Sequence, residues 1–190
     1  LKIQFKVPFK IQNVIMEKSK WIGSPNFTKG RYIYKPEYIV IHIMQGTLIG
    51  TNSWFNNPSS NVSAHSGIGS KGEVHDYVRS ADTAWHCGTT NVGSATFKGF
   101  KFVNGKLVNT NLFCLGLEHE GKHDKEITET CYLASARKIK FWSNRFGIPI
   151  DEEHIVTHSS IYPGHNCPAS SINIKKLIEY ALKAEPIEPE

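Results

Sequence analysis

The chain lacks the features that would commit it to a membrane or to a disulfide scaffold. Nowhere in its 190 residues does an apolar run approach the roughly 18 consecutive residues that read as a membrane span. No basic start followed by an apolar segment marks an export signal. Its four cysteines, Cys87, Cys114, Cys131 and Cys167, are too sparse for a disulfide framework. None forms a Cys-x-x-Cys pair, which excludes a zinc ribbon. Basic blocks such as Lys18-Ser19-Lys20 and Lys98-Gly99-Phe100-Lys101 are too short for a nucleic-acid arm. There is no internal repeat.

What is present is an ordinary globular composition, 39% apolar with 21% charged residues, and a surplus of nine histidines. The net charge of +5 suits a polyanionic partner. Residues 1–31 read as an arm that packs on the core, with Lys2 to Val7 alternating as a half-buried strand. Residues 32–183 form the main domain, and the Pro/Glu-rich residues 184–190 read as the start of a linker.

Within the domain, Tyr38 to Ile43 is a short β-branched run, the mark of a buried strand. A loop or short helical turn follows around Ser53 to Ser60. Val62 to Ile68 and Gly72 to Val78 read as a hairpin, as do Phe100 to Val108 around Asn104-Gly105. Leu112 to Glu118 and Ile155 to Thr157 are further strands. Thr128 to Phe146 is the strongest helix, capped by Thr128 and stopped by Gly147 and Pro149. Ile172 to Lys183 is a last helix, with Ser170 or Ser171 as its cap. Strands alternating with helices predict an α/β domain on one mixed central sheet flanked by helices.

His42 lies inside one of these strands, His158 ends another, and Cys167 follows nine residues later across a Pro/Gly loop. Two neutral imidazoles and a thiolate make a borderline-soft donor set for Zn2+, with a fourth position left for water. Glu118 ends its own strand, where a carboxylate can shuttle a proton. Each also has a plainer reading. A strand histidine can be a hydrogen-bonded core residue, a cysteine beside proline can be packing, and a glutamate can pair with a cation.

Six motifs then appear in order. They are Ile39-Val40-Ile41-His42, Ser63-Ala64-His65 with Ile68 to Val74, Ala84-Trp85-His86-Cys87-Gly88, Leu115-Gly116-Leu117-Glu118-His119-Glu120-Gly121, His154-Ile155-Val156-Thr157-His158, and Asn166-Cys167-Pro168. Together they resemble the zinc-dependent N-acetylmuramoyl-L-alanine amidases of the type-2 amidase and peptidoglycan-recognition-protein superfamily, over about Tyr38 to Leu182. The resemblance implies one zinc ion on His42, His158 and Cys167, and Glu118 as general base. Ala64 stands where another branch carries a catalytic tyrosine. The implied reaction cuts the bond between N-acetylmuramic acid and L-alanine in peptidoglycan, itself a polyanion. The family commonly has lysine two residues before the third ligand, to stabilise the oxyanion. Here it is His165, which can donate a hydrogen bond or compete as a ligand.

Other residues are assigned by position. His65 is expected either to line the site or bond a ligand imidazole, or to be a packed hairpin histidine. His86 and Trp85 are expected either to contact substrate or, for Trp85, to anchor the core, and Trp54-Phe55 to form either a sugar platform or packing. His75, His119, His123 and His154 are expected to be surface or structural residues, and the other three cysteines either thiols, free or packed, or members of a disulfide. The competing function is a non-catalytic module that binds peptidoglycan, although retention of all four site residues speaks for the enzyme. The expected setting is the cell wall, reached by secretion or by release of a phage lysin from its host, with a wall-binding domain beyond the linker.

Overall fold

The structure is a computed structural model describing residues 18–88 and 92–186. The expected strand at Lys2 to Val7 and the last four residues of the linker lie outside that range. Strands β1 (Lys20–Trp21) and β2 (Phe27–Thr28) precede β3 (Tyr38–Ile43) and helix α1 (Leu48–Asn56). Next come β4 (Ser66–Ile68), β5 (Val74–Asp76), β6 (Thr83–Ala84), β7 (Phe102–Val103) and β8 (Lys106–Leu107). The order ends with β9 (Cys114–His119), α2 (Glu129–Phe146), β10 (Ile155–Thr157), α3 (His158–Ile161) and α4 (Ile174–Lys183).

Six strands form a mixed sheet in the order β1-β5-β4-β9-β3-β10. The four from β4 to β10 run parallel, and β5 turns back on β4. Strand β3 is apolar on both faces because both are covered. Successive side chains alternate across a strand, so Ile39, Ile41 and Ile43 meet α2 and α4 in the main core with Leu115, Leu117, Ile155, Trp142 and Leu177. Val40, Cys114 and Val156 face the other way, onto Phe97, Phe113 and Ile161.

Local chemistry sets the element ends. The Thr128 side chain accepts from the Cys131 N–H at 3.2 Å, and Gly147 closes α2 in the left-handed region at φ 71°. Asn104 and Gly105 take φ 50° and 73°, the two left-handed positions of a two-residue hairpin turn. The first histidine-bearing strand and the long helix thus stand as expected; both hairpins form, with shorter strands than expected, Ser66–Ile68 against Val74–Asp76 and Phe102–Val103 against Lys106–Leu107.

Three expectations need correction. The segment after β3 is a nine-residue helix rather than a loop or single turn. Thr47 caps it, and Leu48, Thr51 and Phe55 make its buried stripe. Strand β9 begins at Cys114, because Asn109 caps a 3-10 turn over Thr110–Phe113. Helix α4 begins at Ile174 behind Asn173, because the buried Ser171 hydroxyl bonds the Pro168 carbonyl instead. No described helix is long and apolar enough to cross a membrane.

Residues 18–31 are built into the domain. β1 extends the sheet beside β5, and β2 pairs with β6. Arg31 is buried, and its guanidinium donates to the carbonyls of Ser80, Asn111, Leu112 and Cys114 at 2.9–3.2 Å. It also meets His65 Nε2 at 2.7 Å. Removing the guanidinium strands several buried acceptors at once, so Arg31→Ala is expected to cost about 3 kcal/mol or more. Denaturant unfolding of the two proteins measures it, and a loss below 1 kcal/mol would contradict this account.

Candidate metal centre

The β3–β9 ladder pairs His42 with Glu118, and β10 continues beside β3 so that His158 follows the register pair Thr157–Ile41. By alternation His42, Glu118 and His158 share the sheet face opposite α2. They lie at the carboxyl ends of three adjacent parallel strands, where α/β sheets open their crevices. Cys167 returns over this edge, and the Ile43 N–H donates to its Sγ at 3.4 Å. All four residues line one 470 Å³ cavity.

His42, His158 and Cys167 each offer a ligand atom, and these atoms lie within 4.8 Å of one another. Among the described residues this is the one such cluster that could hold a metal. His42 Nδ1 is 3.9 Å from Cys167 Sγ, while its Nε2 is 3.1 Å from His86 Nδ1. His158 Nε2 is 3.3 Å from the Cys87 carbonyl oxygen. Each imidazole therefore has one nitrogen engaged by protein and one left for an ion, the usual arrangement of metal-binding histidines.

Burial sets the protonation. It holds His42 well below the ordinary imidazole range, helped by His158 and His86. Burial likewise lowers His158 to about 4. Both rings are therefore neutral donors at pH 7. The Cys167 thiol is pushed up to about 12 by burial and then by Glu118, partly offset by the Ile43 N–H. A bound cation would ionise it and release its proton. Burial alone raises the Glu118 carboxyl to about 8, and its buried Oε2 has no hydrogen-bond partner. Two neutral imidazoles and an ionisable thiol fit the donor set of a mononuclear zinc site, with one unpartnered carboxyl oxygen lining the same cavity.

The remaining candidates divide. His165 is exposed on the cavity wall, its ring stacked on Tyr162 at 4.7 Å and 5.4 Å from His158. Trp85 lines the cavity too, with its indole N–H held by Thr28 Oγ1 at 3.0 Å. His86 reaches the cavity, but its Nδ1 is turned to His42. His65 is corrected: it is only 1% exposed, does not line the cavity, and accepts the Gly116 N–H while meeting Arg31. It is His86, not His65, that touches the His42 ring.

The aromatic pair splits as well. Both reach the cavity wall, but Trp54 stands 55% exposed while Phe55 is buried, edge-on to Tyr77 in the core. His123, expected at the surface or in a structural role, also reaches the cavity. His119 is structural, bridging the His42 carbonyl and Ser135. Cys87, Cys114 and Cys131 are buried thiols without disulfides. Sequence reasoning missed Tyr162 and Asn111. Neither sits in a local pattern with chemical meaning; both matter only through what the fold sets beside them.

Residues 33–170 match the family described as N-acetylmuramoyl-L-alanine amidase. A curated relative, N-acetylmuramoyl-L-alanine amidase A of Achromobacter lyticus, is 33% identical over 147 residues, covering 71% of this chain and 72% of its own. Among solved structures, a selenomethionine AmpD derivative superposes with a TM-score of 0.69 at 20% identity, covering 86% of this chain and 94% of that one. A mutant endolysin from Bacillus subtilis gives 0.57 at 19% identity, covering 80% and 90%. At such identities the two structures speak to the fold, and both support the mixed sheet flanked by helices.

The Glu118 environment makes a stability prediction for the metal-free protein. The folded carboxyl keeps its proton up to about pH 8, while the unfolded one loses it near the ordinary value of 4.5. Between those values the folded state binds more protons, so stability falls as pH rises. Glu118→Gln removes this loss. In chelator-treated protein its stability relative to the parent is expected to grow from pH 5 upward, by about 4 kcal/mol above pH 8. Guanidinium unfolding at pH 5 and pH 8.5 measures the gap; an unchanging gap would be the contrary result.

Proposed function

This chain belongs to the N-acetylmuramoyl-L-alanine amidases, hydrolases of the bond joining N-acetylmuramic acid to L-alanine in peptidoglycan, and we propose that His42, His158 and Cys167 hold a zinc ion for that reaction. The reading is carried by the meeting of three donor atoms within 4.8 Å beside an unpartnered buried carboxyl oxygen. When bound there, zinc supplies Lewis acidity to the scissile carbonyl and to the attacking water.

The chain's own groups do the rest. Glu118, which would be ionised once a cation fills the neighbouring donor set, accepts the proton of the attacking water. It returns that proton to the departing alanine nitrogen, so one group serves both half-steps. His165, on the wall beside His158, donates a hydrogen bond to the oxyanion, the part that the family resemblance gives to a lysine. Trp85 offers its ring face to the substrate, since its N–H is already engaged. No step needs a nucleophilic side chain or a covalent intermediate. The work is done at the cell wall, which the enzyme reaches by secretion or by release from a lysing host cell.

Substitution separates the roles. Glu118→Ala is expected to bind zinc normally and to lose about 10²- to 10⁴-fold in turnover. His158→Ala and Cys167→Ala are expected to lose the metal. Elemental analysis, together with release of new N-terminal alanine from purified walls, reads both outcomes. Full zinc in both ligand variants would refute the ligand assignment. Zinc-loaded parent that releases no alanine would leave a binding module instead.

A further inference from the structure

We propose that the His86–Cys87 dipeptide is a positioning device for both imidazole ligands, and that the Asn111 side chain locks it in place. The inference rests on reading His42, His158 and Cys167 as the zinc site.

A ligand imidazole gives one nitrogen to the ion, and its other nitrogen carries a proton that needs an acceptor. For His158 the acceptor is the Cys87 carbonyl, 3.3 Å from Nε2. A carbonyl can only accept, so the proton is on Nε2 and Nδ1 is free for the ion. For His42, Nδ1 faces Cys167 and Nε2 faces His86 Nδ1 at 3.1 Å. His42 Nε2 is then the donor and His86 Nδ1 the acceptor. The Cys87 sulfur lies 3.5 Å from the same His86 nitrogen, a longer contact than the His42 bond. Two adjacent residues thus set the tautomer and tilt of two ligands that are 116 positions apart in the chain.

The dipeptide itself is pinned by one atom. Asn111 Oδ1 accepts both the His86 N–H at 3.0 Å and the Cys87 N–H at 2.9 Å. Asn111 is in turn fixed by Asn109, whose side chain takes its N–H, and by Arg31, which donates to its carbonyl. Gly116 makes room beneath: a Cβ there would lie 2.7 Å from His86 Cγ. Asn111 and His86 are therefore positioning residues that act through the ligand histidines.

The test is zinc affinity of the full chain, read by competition with a chromophoric chelator, with the melting temperature of each metal-free protein measured alongside. Asn111→Ala is expected to weaken zinc binding about 10- to 100-fold. Asn111→Asp, which keeps an acceptor oxygen, is expected to stay close to the parent. Parent-like affinity in Asn111→Ala would overturn the proposal, as would an Asp variant no tighter than the Ala variant. If Asn111→Ala does not fold, His86→Phe decides, because it fills the same space without an acceptor. Weakened zinc binding there upholds the proposal and parent-like binding overturns it. A substrate-contact role for Asn111 would instead raise KM with zinc affinity unchanged. A parent chain that binds no zinc would overturn the metal site itself, and the proposal with it.

Discussion

The ladder between β3 and β9 sets His42 directly opposite Glu118, and almost everything else about the site depends on that pairing. Side chains alternate along a strand, so slipping the register by one residue would turn either group into the apolar core beneath α2. The register is held because Ile39, Ile41, Leu115 and Leu117 must all reach that core. Burial of apolar surface on one face therefore aims the polar groups on the other. His158 obeys the same rule through β10.

The second constraint is dryness. The same packing that orients the groups also removes water from them, and the shifts follow from that cause first: imidazoles driven neutral, a thiol and a carboxyl driven to keep their protons. Without a cation this is a costly arrangement, since buried polar atoms are left short of partners. With one, the rings are already in their ligating form and the thiolate finds its counter-charge. The polar groups behind the site complete the setting. Arg31, Asn111 and the His86–Cys87 dipeptide link the arm, the 3-10 turn before β9, His42 and His158 in one hydrogen-bonded chain.

Local grammar made much of the architecture legible. The apolar run at Tyr38 to Ile43, the Asn104-Gly105 turn and the Thr128–Gly147 boundaries each carry their structural meaning in neighbouring residues. Boundaries shifted where a distant group competed for a cap. Ser171 looks like a helix cap in sequence, but its hydroxyl is taken by Pro168. The histidines show the same limit. His65 and His86 sit in similar contexts within short motifs, yet one is sealed behind the wall against Arg31 and the other touches the His42 ring.

By itself, then, the amino-acid order determined the donor inventory, its place at strand ends, and the family to which six ordered motifs belong. Those depend on residue identity and local periodicity, which a linear chain carries in full. Only the tertiary structure decided which nitrogen of each imidazole is free, which histidine stands behind which, and that Asn111 holds the loop joining them. These depend on distances of a few ångströms between residues far apart in the chain, and such distances exist only once the sheet has closed its register and the core has excluded water.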